Sequence, residues 1–285
     1  MKIAVLGMGR LGQALAGRLL RAGHDLSLWN RSPGKAAALV ERGASEAPSP
    51  AAAVDGADLA VTVLADDDAV RDVALGRDGV RSALAQQATY VDCSTVSPGL
   101  TRQLHADMNR YVAMPILGSP MQVAAGGATY LIGADRRAAQ AVEPLFPMLS
   151  EKTLRYDEPW TAAAAKVSVN LLLLNGVVAL AESFAVGRAG GLSNDQLRQL
   201  LGDSPMVAPG LRYRFEGILT GDQETFWTTV LGTKDANLAV ELAASAGVDL
   251  PATTLARDLY QQASERFAHE DIAQVADRYR RQPSR

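Results

Sequence analysis

Apolar and polar positions alternate between two periods through about Tyr156. Short apolar or β-branched runs at residues 2–7, 25–30, 58–64, 89–93, 111–116, 128–133 and 153–156 read as strands. Segments with helical spacing lie between them, for example 11–22 and 136–149. Ser49-Pro50 and Ser97-Pro98 have the form of helix starts, with a capping serine followed by a first-turn proline. Strands alternating with helices predict an α/β architecture with a mostly parallel, doubly wound sheet.

After Glu158-Pro159 the strand pattern stops. Residues 160–189 read as one long helix ended by Gly190-Gly191. Further helices are expected over 194–201, 225–247 and 252–268, with a loop through 204–210 and a polar tail over 278–285. The expected organisation is therefore a Rossmann-type domain over residues 1–158, then an all-α domain over 159–285, joined by the long helix. That helix is apolar on several faces, so it is expected to need many neighbours. It is a candidate for an interdomain spine and for the interface of a homodimer or higher homo-oligomer.

Composition narrows the class without naming a function. The chain has 285 residues, 48% hydrophobic and 21% charged, with a formal net charge of -3. That balance is ordinary for a globular protein and leaves no basic footprint for nucleic acid. The single cysteine, Cys93, excludes an intrachain disulfide framework and suits a reducing cytoplasm. No signal peptide is visible at the N-terminus. The most apolar stretch, 167–180, contains Asn170 and Asn175 and reads as a core helix rather than a membrane span. His24, His105 and His269 are scattered, so no metal site is expected.

The candidate chemistry starts at the first turn. Gly7-Met8-Gly9-Arg10-Leu11-Gly12 sits between a strand and a helix, and a second strand follows. This is the dinucleotide-binding fingerprint in the context it requires. Gly7 permits the tight turn, Gly9 lets the backbone approach a pyrophosphate, and Gly12 lets helix and strand pack closely. The helix N-terminus offers N–H groups and positive dipole to phosphates. At the end of the second strand, an NAD-specific site usually carries a carboxylate for the ribose 2′-OH. This chain has Asn30-Arg31-Ser32 there. Arg31 can pair with a 2′-phosphate and Ser32 can add a donor, so the expected cofactor is NADP(H).

Lys166 lies in an apolar helix start, after Ala162–Ala165 and before Val167. An ammonium in such a setting loses its proton easily or finds an anion, and can serve a carbonyl/alcohol pair as general acid or base. Asn170 is four residues on, on the same helix face. The plainer alternative is a snorkelling lysine with an asparagine one turn away. Ser94-Thr95 follows a strand's carboxyl end, where open α/β sheets bind ligands; capping a helix is its plainer role. Cys93 is expected to be a buried spectator.

Four segments follow the glycine turn in order: Val91-Asp92-Cys93-Ser94-Thr95-Val96-Ser97-Pro98, Met114-Pro115-Ile116-Leu117-Gly118-Ser119, Ala165-Lys166-Val167-Ser168-Val169-Asn170, and Thr233-Lys234-Asp235. With the N-terminal glycines, they make the chain resemble the β-hydroxyacid dehydrogenase family over nearly its whole length. The resemblance implies Lys166 as general acid/base, Thr95 beside the nicotinamide with Ser94 nearby, and Lys234 returning to the cofactor. Leu64-Ala65 would lie on the adenosine–ribose side. It also implies a substrate segment at Leu117, Gly118 and Ser119. From its place on the helix face, Asn170 can orient the lysine or hold a substrate oxygen.

The chain departs from the family pattern in that segment. The acidic residue of the motif is absent, and Leu117 stands where a serine would help hold a substrate carboxylate. The backbone N–H groups of Gly118 and Ser119 are the remaining candidate anion donors. The reading is an NADP(H)-dependent oxidoreductase acting on a small carbonyl or hydroxyacid substrate. The alternatives are an imine-reductase-like enzyme and a catalytically silent NADPH-binding protein.

Overall fold

A computed structural model describes residues 1–150 and 152–280. The chain divides into two compact units, Met1–Lys166 and Val167–Arg285.

The first unit is a nine-stranded sheet flanked by helices. Its strands are β1 (Lys2–Leu6), β2 (Asp25–Trp29), β3 (Ser45–Glu46), β4 (Leu59–Thr62), β5 (Thr89–Asp92), β6 (Tyr111–Ala113), β7 (Ile116–Leu117), β8 (Thr129–Gly133) and β9 (Lys152–Tyr156). The order is β3-β2-β1-β4-β5-β6-β8-β7, with β9 paired to β8. The first six strands in sequence are mutually parallel. Ile3, Ala4, Val5 and Leu6 are all buried, the continuous apolar run expected of a strand covered on both faces. The order reverses between β1 and β4, the topological switch point at which open α/β sheets form their ligand crevice.

Helices α1 (Arg10–Arg21), α2 (Asp67–Leu75), α3 (Pro98–Asp107) and α4 (Pro120–Ala125) carry the features that matter for the site. Ser97 caps α3 and Ser49 caps the short helix Pro50–Val54, both with proline in the first turn, as the sequence pattern implies. Arg18 and Arg21 of α1 both donate to the carbonyl of Ala124 in α4, which ties the two helices together.

Two expected elements are broken, each by proline. The strand expected over 111–116 divides into β6 and β7 around Met114-Pro115, because Pro115 has no N–H to give a ladder. Its carbonyl still accepts from Leu131 N–H at 3.0 Å. β7 then pairs antiparallel to β8. The helix expected over 136–149 becomes Arg136–Val142, a 3-10 turn Glu143–Leu145 and Phe146–Leu149, interrupted at Pro144 and Pro147. β3 is two exposed residues without an apolar signal, and periodicity does not reveal it.

α5 (Pro159–Ala189) is the expected long helix, and Gly191 follows it at φ +89°. It starts in the first unit and continues into the second. At 31 residues it is long and apolar enough to cross a membrane by length and composition, so length does not exclude a span as the 167–180 stretch suggested. Leu174, Val177, Leu180, Ala181 and Phe184 on it belong to the core of the second unit.

That core is shared with α6 (Asn194–Gly202), α7 (Thr229–Ser245) and α8 (Pro251–Phe267), through residues such as Leu197, Ala236, Leu259 and Tyr260. The loop expected through 204–210 leads instead into two short helices, Pro209–Arg212 and Phe215–Thr220, and the second buries Phe215, Ile218 and Leu219. α7 begins at Thr229 rather than 225. Thr228 is its N-cap, and before it the N–H groups of Phe226 and Trp227 donate to the Asp271 carboxylate at 3.0 and 3.1 Å. The tail expected over 278–285 enters a short helix, Asp277–Arg280, and residues 281–285 lie outside the described residues.

Asp271 also accepts from Ala273 N–H and from Arg214 Nε at 3.1 Å, with side chains 1% and 7% exposed respectively for Asp271 and Arg214. Removing one member of a buried pair strands the other charge. Asp271→Ala is therefore expected to lower the free energy of urea unfolding by about 3–5 kcal/mol. A loss near zero would mean that this carboxylate does not organise the second unit.

Candidate functional site

The first turn of the chain is set by close approach. Gly7 has φ +104°, and a Cβ on it would stand 2.3 Å from the Val63 carbonyl oxygen. A Cβ on Gly12 would stand 1.9 Å from the carbonyl oxygen of Gly7. These two glycines are required by the packing of β1, β4 and α1 against one another. Gly9 differs. Its φ is -70°, it is the N-cap of α1 without a side-chain cap, and a Cβ on it would meet no atom within 4 Å. The open face of the turn is thus at the N-terminus of α1, where backbone N–H groups and the helix dipole favour an anion. Met8 is buried, Leu11 half-buried and Arg10 exposed.

Asn30 has a structural task at this turn. Its Oδ1 accepts the Met8 N–H at 2.9 Å, and its Nδ2 donates to the Ser32 carbonyl at 2.8 Å. The side chain braces the glycine turn against the end of β2. Gln13 Nε2 adds a bond to the Met8 carbonyl at 3.0 Å. Arg31 and Ser32 follow, both exposed.

At the carboxyl edge of β4 and β5, Leu64 and Ser94 meet. Ser94 Oγ accepts the Leu64 N–H at 2.9 Å. The Ser94 N–H donates to Asp92 Oδ1 at 3.0 Å, and Thr62 Oγ1 donates to the same oxygen at 2.8 Å. Burial pushes the Asp92 carboxyl up from the usual range, while hydrogen bonds from Ser94 and Thr62 pull it back and the Asp67 charge adds to the rise. Asp92 was absent from the expected site. Its signal was an acidic residue closing an otherwise apolar strand. Thr95 is half-buried beside Ser94, and Ala65 is exposed. Cys93 is buried and its thiol is pushed up by burial and by Asp92, which suits a spectator.

Leu117 is half-buried at the end of β7. Gly118 lies against Ala128, whose Cβ would be 2.9 Å from a Cβ at Gly118. Ser119 is the N-cap of α4 and forms a complete capping box with Gln122. Ser119 Oγ accepts the Gln122 N–H at 3.3 Å, and the Ser119 N–H donates to Gln122 Oε1 at 2.8 Å. The Ser119 N–H expected to face an anion is therefore engaged, because a side-chain amide three residues on satisfies it.

Lys166 is half-buried on α5, next to buried Ala162, Ala163 and Val167. In the second unit, Asn170 is buried and its Nδ2 donates to Asp235 Oδ2 at 2.9 Å. Lys234 Nζ pairs with Asp235 Oδ1 at 2.5 Å. The Asp235 carboxylate, itself buried, joins two expected site residues. Among the described residues, no group of three or more His, Cys, Asp or Glu side chains gathers in a way that could hold a metal ion.

Residues 2–156 match the family model described as the NAD binding domain of 6-phosphogluconate dehydrogenase. Residues 161–279 match the model described as NAD-binding of NADP-dependent 3-hydroxyisobutyrate dehydrogenase. An uncharacterized oxidoreductase of Bacillus subtilis, YfjR, is 34% identical over 93% of this chain and 95% of its own length. An NAD-dependent L-serine dehydrogenase of Pseudomonas aeruginosa is 30% identical over 91% of each. The crystal structure of a 3-hydroxyisobutyrate dehydrogenase from Salmonella typhimurium superposes with a TM-score of 0.88 at 22% identity, covering 97% of this chain and 99% of that one.

The glycines separate packing from openness, and this can be measured without any ligand. Gly12→Ala is expected to destabilise the chain by about 3 kcal/mol, since its methyl group has no room. Gly9→Ala is expected to stay within about 0.5 kcal/mol of the parent. Equal losses in thermal unfolding would contradict the assignment of the open face to Gly9.

Proposed function

The chain belongs to the β-hydroxyacid dehydrogenase family, and on that premise we propose that it is an NADP(H)-dependent oxidoreductase interconverting a small aldehyde or keto compound and its hydroxy form. The observation that carries the reading is the uncapped N-terminus of α1 beside the open space at Gly9. A pyrophosphate fits that feature by charge, by hydrogen-bonding type and by room.

We assign cofactor contacts to the turn Gly7-Met8-Gly9-Arg10-Leu11-Gly12, to Asn30-Arg31-Ser32, Leu64, Ala65 and Thr95, and to Lys234. Asn30 contributes by bracing Met8. The preference for NADP(H) rests on this chain's own residues, since the serine dehydrogenase relative is described as NAD-dependent. No carboxylate stands at Asn30 to repel a 2′-phosphate, and the exposed Arg31 can reach one.

The bound cofactor supplies a hydride. Lys166 gives the proton to the carbonyl oxygen in reduction and takes it back in oxidation. Asn170 is one helical turn further on α5. One of its two amide N–H groups is committed to Asp235, which leaves the other N–H and the amide oxygen as the groups it can offer. Ser94, Leu117, Gly118 and Ser119 complete the proposed substrate contacts. Leu117 lacks a hydroxyl and the Ser119 N–H serves Gln122, so this segment offers little to a carboxylate. Bulkier or less charged carbonyl compounds suit it better than small hydroxyacids.

In this reading, nucleotide binding falls to residues 1–158, and 159–285 supply substrate contacts and the surface for a second copy. Leu172 and Val186 of α5 are 76% and 73% exposed, which supports burial against another subunit. A cytoplasmic location belongs to the same reading.

Three outcomes test it. Arg31→Ala is expected to weaken NADPH by about 1.5–3 kcal/mol and NADH far less. Equal losses in the two dissociation constants would overturn the NADP(H) assignment. NADPH consumption with glyoxylate, succinic semialdehyde, an uncharged aldehyde and a cyclic imine is expected to be fastest on the uncharged aldehyde. Lys166→Ala is expected to reduce that turnover at least about 100-fold with NADPH affinity unchanged. Preference for the imine would favour C=N reduction, and binding without turnover would favour a silent NADPH-binding protein.

A further inference from the structure

One buried carboxylate links the strand ends that lead into two of the proposed cofactor loops. Asp92 closes β5, is 1% exposed, and is paired in register with Thr62 at the end of β4. Two neighbours of Asp92 donate to the same oxygen, Oδ1, while Oδ2 is buried with no hydrogen-bond partner among the described residues. Thr62 Oγ1 donates to Oδ1 at 2.8 Å and the Ser94 N–H donates to it at 3.0 Å. Thr62 has one hydroxyl proton. With that proton directed at Asp92, the Tyr90 hydroxyl, 2.9 Å away, must donate to Thr62. The chain of donors thus runs in one direction, from Tyr90 through Thr62 to the carboxylate.

The other end of the network reaches the loops. Asp92 holds the Ser94 backbone, and Ser94 Oγ in turn holds the Leu64 N–H at 2.9 Å. Leu64 precedes Ala65, and Ser94 precedes Thr95. Burying a carboxylate costs free energy, and an apolar residue would fill the strand end more cheaply unless the hydrogen bonds serve a purpose. The β4–β5 ladder already holds the strands together without it. What the carboxylate adds is the fixed position of the two loops beyond the strands.

We propose that Asp92 is a positioning residue, which through Thr62 and Ser94 holds Leu64-Ala65 and Ser94-Thr95 in the arrangement that receives the dinucleotide. This rests on the cofactor reading above. Asp92 touches neither cofactor nor substrate in this account. It acts through the two side chains it orders.

The test compares Asp92→Ala, Asp92→Asn and Thr62→Val with the parent, by fluorescence titration with NADPH and by thermal unfolding without it. Asparagine keeps an acceptor oxygen for Thr62 and Ser94, so Asp92→Asn is expected to bind NADPH within about twofold of the parent, while Asp92→Ala binds about tenfold more weakly. Thr62→Val removes one donor and is expected to weaken binding about threefold, which keeps the proposal testable should the alanine variant not fold. Two results would overturn it. One is a folded Asp92→Ala that binds like the parent, or a Thr62→Val that does so where the alanine variant is unfolded. The other is an Asp92→Asn as weak as Asp92→Ala, which would assign the effect to charge rather than to positioning. A parent that binds neither NADPH nor NADH would fail the cofactor reading itself, and that failure is visible before any variant is made.

Discussion

The close approach of α1 to the turn after β1 is the constraint on which the rest of the first unit depends. A single carbonyl oxygen, that of Gly7, lies 1.9 Å from where a side chain on Gly12 would begin. Val63, just beyond β4, presses on Gly7 from the other side. Three strand ends therefore meet at one turn: β1 through its own backbone, β4 through Val63, and β2 through Asn30, whose amide accepts the Met8 N–H. Because the sheet order reverses between β1 and β4, this meeting point is also where a crevice opens. The backbone is held rigid on its packed side and left uncapped on its open side. That combination suits a site whose ligand is recognised by backbone N–H groups, since donors fixed in advance lose little freedom on binding.

The two halves of the proposed chemistry have different standing in this chain. On the nucleotide side, the turn, its brace and the carboxyl edge of β4 and β5 form a continuous hydrogen-bonded frame. On the substrate side, Leu117 and the Ser119–Gln122 capping box replace groups that could meet an anion. The box is locally stabilising, and it consumes the donor that an anion would need. In the proposed reading, the cofactor frame is kept while Leu117 and the engaged Ser119 N–H offer less to a carboxylate. The buried Asp235 carboxylate is bonded by Asn170 and paired with Lys234.

Much of the fold was legible because its causes are local. The glycine turn, the Ser49 and Ser97 caps and the long helix each depend on residues within a few positions of one another. Those that escaped depend on distance. Asp271 holds the segment before α7 from more than forty residues away, through Phe226 and Trp227. Asp92 reads as an ordinary strand residue until Thr62 and Ser94 are seen around it. Pro115, Pro144 and Pro147 were visible in the sequence, and each broke an element that hydrophobic periodicity alone had joined. Ser119 carries a different lesson. The serine-then-glutamine spacing of a capping box is present in the sequence, but the family resemblance drew attention to its N–H as an anion donor. The local pattern described that N–H better.

The open, uncapped turn at Gly9 is the proposed seat of NADP(H). The most direct measurement is a titration of the unaltered protein with NADPH and separately with NADH, following nicotinamide fluorescence. Saturable binding of one NADPH per chain is expected, at least about tenfold tighter than NADH, the difference expected for one charge-assisted hydrogen bond to a 2′-phosphate. Absence of saturable binding, or tighter binding of NADH, would contradict it.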